Sequence, residues 1–301
     1  MSWQAAITDV ALRAIRERLR AITGSTSDLN DFTFPKGDPG LFGPDAIAWT
    51  VHAHFTAMMV GGLSSLMVQS LHPRALSAVW DHSDFRHQLK GRLGRTAYFV
   101  AATTYGSEAL AMGAIRRVNM IHAHIRGVDL QGRPYIANEP ALIRWVHLAE
   151  VSSFLGAYQH FAKTPLSESA CDQYIAEMRQ VGHLLGATDL PLTWRSTQEA
   201  LSAYLGELSF DERAKEIRTI IENYPTDVLD QPFMRLILNA AFDVMPSWVL
   251  ALMQRPANCA LQAQATKLAL VAASQPIQWM LDRQGVCAVA RQRVQGRVAD
   301  V

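Results

Sequence analysis

The sequence predicts an all-α protein, a single multi-helix domain folded around a buried site. Three observations carry that prediction. Apolar residues recur at the helical spacing of three and four in segment after segment. No Asn-Gly hairpin signal and no run of alternating β-branched residues interrupts them. The composition is that of a compact apolar chain: of 301 residues, 49% are hydrophobic and 18% charged, against roughly 25% charged in an average soluble domain. Disorder and low-complexity architectures are excluded on that basis. Lys+Arg 28 against Asp+Glu 27 leaves a net charge of +1, so no field exists to hold nucleic acid through its phosphates.

The elements follow in order. Residues 8–22 place Val10, Ala11, Ala14, Ile15, Leu19 and Ile22 on one face of a surface helix. The stretch 24–43, rich in Gly, Pro, Ser and Asp, reads as a long ordered arm. Pro44 suits the first turn of a helix that from Ala46 carries no Asp, Glu, Lys or Arg until His72-Pro73 ends it. A short helix over 74–81 follows, then a helical stretch over 92–125 with a break at Gly106-Ser107. GVDLQGRPY is a turn, and Asn138-Glu139-Pro140 opens a helix over 140–162. Four more helices follow, with Ser167, Ser196 and Asp211 as N-caps. Two or three helices beyond Pro256 lead to a polar tail. The parts are an arm over 1–43, a main helical domain over 44–250, and C-terminal helices over 251–301 packed on the same domain.

From Ala46 to Pro73 the chain has no Asp, Glu, Lys or Arg, a length that reaches across a bilayer. It also carries His52, His54, His72, Gln69, Thr50 and Thr56, which suit a buried helix lining an internal site better than a lipid-facing span. Cys171, Cys259 and Cys287 are odd in number and far apart, so no disulfide framework or CxxC metal site is expected. The first residues lack a basic-then-apolar leader, and the expected location is cytoplasmic.

All 10 histidines fall between His52 and His183. Each alone reads most simply as a core or capping residue, but the clustering points to ligation of a metal or cofactor. The spacing speaks against a multi-histidine cage. No pair of Glu-x-x-His motifs and no His-Glu-x-x-His occurs. The pairs His52/His54 and His122/His124 diverge by roughly 200° on a helix, so one member of each can face a site. GxSxG, Walker A and GxGxxG motifs are absent, which disfavours hydrolase, NTPase and Rossmann readings. A second polar island holds Arg92, Arg95 and Thr96 at i, i+3 and i+4, either a solvated helix start or a donor-rich wall over a pocket. Between Ala46 and Arg95 only Asp81 and Asp84 offer a carboxylate to these arginines.

Several fragments together resemble one family. They are His72-Pro73, His82-Ser83-x-Phe85, Arg92-x-x-Arg95-Thr96, Gly106-Ser107, Arg117-Val118-x-x-Ile121-His122, Arg126-Gly127, Tyr135-x-Ala137 and Trp145-Val146-His147. Over about residues 44–250 the chain is similar to the MpaB and latex-clearing protein (rubber oxygenase) catalytic-domain family. The resemblance implies globin-like helical packing around a b-type haem, an iron held by an axial histidine, and oxidation of a small apolar isoprenoid or aromatic substrate by dioxygen. An electron donor joins the partners where the reaction needs one. It places the metal ligand at His122, with His147 as the second candidate, and the distal catalytic motif at Arg92, Arg95 and Thr96; the two arginines also contact the cofactor. Rubber oxygenases carry lysine where this chain has Arg95, and arginine cannot act as a general base. Without a secretion signal, polymeric rubber is not the expected substrate. The alternative is a non-catalytic carrier of haem or another lipophilic ligand. Phe55, Met58, Met59 and Met67 read either as pocket walls or as plain core.

Overall fold

The computed structural model describes residues 28–296 except Pro225, together with Leu12, Ile15 and residues 17–20. The described part of the expected 8–22 helix is helical; the remainder, residues 24–27 of the arm and the tail from 297 lie outside the described residues. Among these residues the chain forms α1 (Ile47–Ala53), α2 (Phe55–Gln69), α3 (Pro73–His82), α4 (Leu89–Tyr105), α5 (Glu108–His122), α6 (Pro140–Phe161), α7 (Glu168–Leu185), α8 (Trp194–Ser202), α9 (Glu212–Glu222), α10 (Gln231–Asp243), α11 (Ser247–Leu252), α12 (Ala260–Gln284) and α13 (Val286–Val294). Between α5 and α6 lies a two-stranded antiparallel hairpin, β1 (Arg126–Val128) and β2 (Pro134–Ile136). The all-α class holds.

The core is organised on α2 and α6, which lie against each other along most of their length. Val60, Leu63 and Met67 on one helix and Leu148, Val151 and Leu155 on the other are all sealed from solvent. Each such side chain contributes about 1.5–3 kcal/mol through burial. Gly61 permits the close approach: a Cβ there would lie 2.8 Å from Phe154 Cδ1 and 2.9 Å from the Ser153 carbonyl oxygen.

The uncharged run differs from the single helix expected of it. It breaks at His54 into α1 and α2, whose axes meet at 88°. His54 Nδ1 accepts from the Ala57 amide at 3.2 Å and caps α2. Gln278 of α12 secures the corner, accepting from the Phe55 amide at 2.8 Å and donating to the Ala53 carbonyl at 3.0 Å. No single described helix is long and apolar enough to cross a membrane, and the bent pair lies largely inside the protein.

Two further differences are local. The stretch GVDLQGRPY closes a hairpin, because the Asp129 carboxylate accepts from the amides of Gln131 and Arg133 at 2.9 Å each and Gly132 takes φ +76°. The helix expected to begin at Ser196 begins at Trp194 instead. Thr193 is its N-cap, and Ser196 is the reciprocal member of a capping box. Ser167 and Asp211 cap α7 and α9 as expected. Arg293 of α13, with no exposed surface, donates to the carbonyls of Asp38, Phe32 and Gly106 at 3.1, 3.3 and 3.2 Å. One side chain thereby fastens the C-terminal helix to the arm and to the α4–α5 break.

Candidate functional site

Helices α4 and α5 are paired with each other, whereas α4 makes almost no direct contact with α2. The gap between the two helix pairs is a cavity with two adjoining lobes. The lobe of about 160 Å³ is bordered by His122, His147, Arg92 and Glu150. The lobe of about 300 Å³ is bordered by Arg92, Thr96, Met58, Met59, Phe154 and Glu150 among others. Gln69, Arg92, Val100 and Glu150 border both, so the lobes form one slot.

His122 is the last residue of α5, half-buried, and its Nδ1 is sealed from solvent without any hydrogen-bond partner. Burial, and then the nearby Arg92 guanidinium, lowers its pKa, so the ring is neutral and keeps a lone pair. His147 lies on α6 at 7% exposure, its pKa pushed down to about 4 by burial and by His183. Its Nε2 packs against Gly182 of α7, where a Cβ would lie 2.9 Å away. His124 lies in the turn just beyond α5, faces solvent, and its Nδ1 bonds the Met120 carbonyl at 2.8 Å.

Arg92 is half-buried and donates to Ser83 Oγ at 3.1 Å. No carboxylate among the described residues pairs with it. The two aspartates available in sequence are engaged elsewhere. Asp81 faces Arg213 at 3.3 Å and accepts from Tyr135 Oη at 2.8 Å, while Asp84 takes His87 Nδ1 at 2.7 Å and Gln88 at 3.0 Å. Burial, with Arg95 nearby, depresses the Arg92 pKa. Thr96 borders the larger lobe, although its hydroxyl donates back to the Arg92 carbonyl at 3.2 Å. Arg95 is exposed and borders neither lobe. The lining stripe of α4 runs through Arg92, Leu93, Thr96, Ala97 and Val100, and Arg95 falls beside it.

Glu150 is the residue that motif reasoning passed over. It lies deep among the helices with its carboxyl on the cavity, and burial raises its pKa to about 7. The signal was present: it is the single acidic residue of the 22-residue helix α6, one turn beyond His147. Phe55, Met58 and Met59 are walls of the larger lobe, whereas Met67 belongs to the core.

No curated protein and no solved structure matches the chain. The profile of the "ER-bound oxygenase mpaB/B'/Rubber oxygenase, catalytic domain" family matches residues 49–274. That span starts inside α1, takes in every residue bordering the His122 lobe, and runs into α12. The chain belongs to the mpaB/rubber oxygenase catalytic-domain family.

Proposed function

We propose that the slot holds a b-type haem with His122 as the protein ligand to iron, and that the chain is a haem-dependent oxygenase of a small apolar substrate, isoprenoid or aromatic. The observation that carries this reading is the pairing of unmet valences across one cavity. His122 offers a neutral imidazole with an orphaned ring nitrogen, and Arg92 offers a desolvated cation with no carboxylate partner among the described residues. A metal and an anionic carboxylate periphery would satisfy both at once, and haem carries both. Among the described residues no three His, Cys, Asp or Glu side chains converge as a cage, and a haem iron asks for one histidine. The choice of His122 over His147 rests on packing, since His147 Nε2 is turned against Gly182.

The chemistry a bound haem supplies is activation of dioxygen at iron. The rest falls to the chain. His122 keeps its lone pair because burial and Arg92 both oppose its protonation. Arg92, anchored by Ser83, borders the slot and has further N–H groups to offer to what it holds. Glu150, with its pKa about 7, can hold or release a proton at its carboxyl oxygen near neutral pH. Met58, Met59, Phe55 and Phe154 give the substrate an apolar wall, and their flexible thioethers adapt to its shape.

The purified protein, expressed with ample haem precursor, is expected to show a Soret band that His122→Ala abolishes while helix content stays the same. Absence of the band, or a band indifferent to His122, overturns the assignment. Dioxygen consumption with terpenoid or phenolic substrates then separates an oxygenase from a carrier, which consumes none.

A further inference from the structure

A third cavity, of about 410 Å³, opens between α1, the end of α12 and α13. It shares His52, Ala53, Tyr105 and Leu281 with the 300 Å³ lobe, so these four side chains are the partition between the outer space and the inner one. Three of the four are fixed. His52 bonds Thr104 Oγ1 through Nδ1 at 2.7 Å and Tyr174 Oη through Nε2 at 3.0 Å. Tyr105 donates from its hydroxyl to the Trp49 carbonyl at 3.3 Å, with its ring edge-on to Trp49 at 5.0 Å. The Ala53 side chain is a methyl with no alternative rotamer, and its carbonyl is held by Gln278. The side chain of Leu281 is half-buried and held by van der Waals contact alone. Gln278 is pinned one turn earlier on α12, so a change of rotamer at Leu281 requires no shift of the helix.

We propose that this third cavity is the substrate entrance and that Leu281 is its gate, admitting an elongated molecule with a long apolar part and one polar end. The class follows from the walls. Beyond the partition lie Phe55, Met58, Met59 and Phe154, which suit hydrocarbon. At the outer rim stand Thr50, Asp282 and Arg291, which suit a polar group still in contact with water. The apolar part points inward and the polar end stays at the rim. This inference rests on the reading of the inner slot as the reaction site of the oxygenase.

The test uses parinaric acid, a polyene fatty acid, mixed by stopped flow with the protein as purified. Uptake is read as energy transfer from tryptophan, of which Trp49 lines the outer cavity. A gate sets rates and leaves the equilibrium alone. Leu281→Ala is expected to raise the association and dissociation rates together by about tenfold, and Leu281→Phe to lower both, with Kd moving by less than about threefold. A residue that merely lines a pocket would change Kd through dissociation alone. No uptake by the parent protein overturns the proposal, as do rates indifferent to both substitutions or a Kd change without the paired change in rates. The two readings fail separately. Uptake gated by Leu281 in a protein without a Soret band keeps the entrance and removes the haem. A His122-dependent Soret band with uptake indifferent to Leu281 removes the entrance alone.

Discussion

Arg293 and Arg92 both lie in largely apolar surroundings, and the protein treats them in opposite ways. Arg293 has no exposed surface and spends its guanidinium on three backbone carbonyls from the arm and from the α4–α5 break. Its donors are used, and it joins segments that are 255 residues apart in sequence. Arg92 has one modest acceptor, Ser83 Oγ, and otherwise faces a cavity in which the only nearby lining carboxyl, Glu150, makes no ion pair with it. Leaving a cation underpaired in a desolvated position costs free energy. A structural arginine removes that cost within the chain, as Arg293 does. An arginine that keeps it fits the proposed reading, in which the carboxylates of a cofactor would complete its pairing.

The largest expected effect comes from removing the satisfied member of the pair. Arg293→Ala strips three carbonyls of their donor and leaves a void at the junction of arm and C-terminal helix. We expect a loss of about 3 kcal/mol, read as a lower urea midpoint. Cofactor content per folded molecule should stay the same. A variant as stable as the parent, or one that folds but loses cofactor selectively, would erase the distinction between the two arginines.

Arg92→Leu should do the reverse. Removing a desolvated, underpaired cation is expected to leave the urea midpoint unchanged or slightly raised, while cofactor dissociation speeds by about tenfold, or about 1.4 kcal/mol of binding. Haem transfer to an apo-globin acceptor measures it. Arg95→Ala is the matched control, since that side chain is exposed and off the lining stripe; it should alter neither quantity. If Arg95→Ala speeds haem loss as much as Arg92→Leu, the cavity geometry is not what selects between them.

How far such distinctions are legible in the sequence depends on whether the deciding partner is local. The division of α4 from α5 is written in Gly106-Ser107, because Ser107 itself accepts from the Leu110 amide and starts the new helix. The division of α1 from α2 is not written locally. His54 sits inside an uncharged apolar run, and its corner is held by Gln278, more than 220 residues away. The hairpin after α5 was hidden for a different reason: its partner is local, but the turn is built by the Asp129 carboxylate rather than by an Asn-Gly pair. At the site, the motif pattern named His122, Arg92, Thr96 and His147, and one cavity is bordered by all four. Arg95 shares the sequence motif but not the face. Spacing of three and four puts residues near one another on a helix, yet the position of the opposing wall decides which edge of that face is lined. Glu150 carried a sequence signal that no motif listed: a lone carboxyl in a long apolar helix.

Glu150 supplies the smallest of these effects and the one with a pH signature. Burial raises its folded pKa to about 7 from the ordinary value of 4.5. Between those values the folded protein holds a proton that the unfolded chain has lost, so stability falls as pH rises through the window and the deficit is complete above about pH 7. Glutamine at this position is neutral at every pH and nearly the same shape. Glu150→Gln should therefore be the more stable protein at pH 8, by about 1 kcal/mol once water in the cavity has screened part of the charge. The advantage should close as pH falls from 7 and vanish near 4.5, where the parent is itself protonated. Urea midpoints of the two proteins across pH 4.5–8 give the difference directly. A constant offset would mean that Glu150 titrates normally and is bathed in solvent, and Arg92 would then face an ordinary carboxylate across an ordinary water-filled cleft. A difference that opens from about pH 4.5 and levels off above about pH 7 shows a desolvated carboxyl, and that carboxyl then shares one water-poor slot with Arg92.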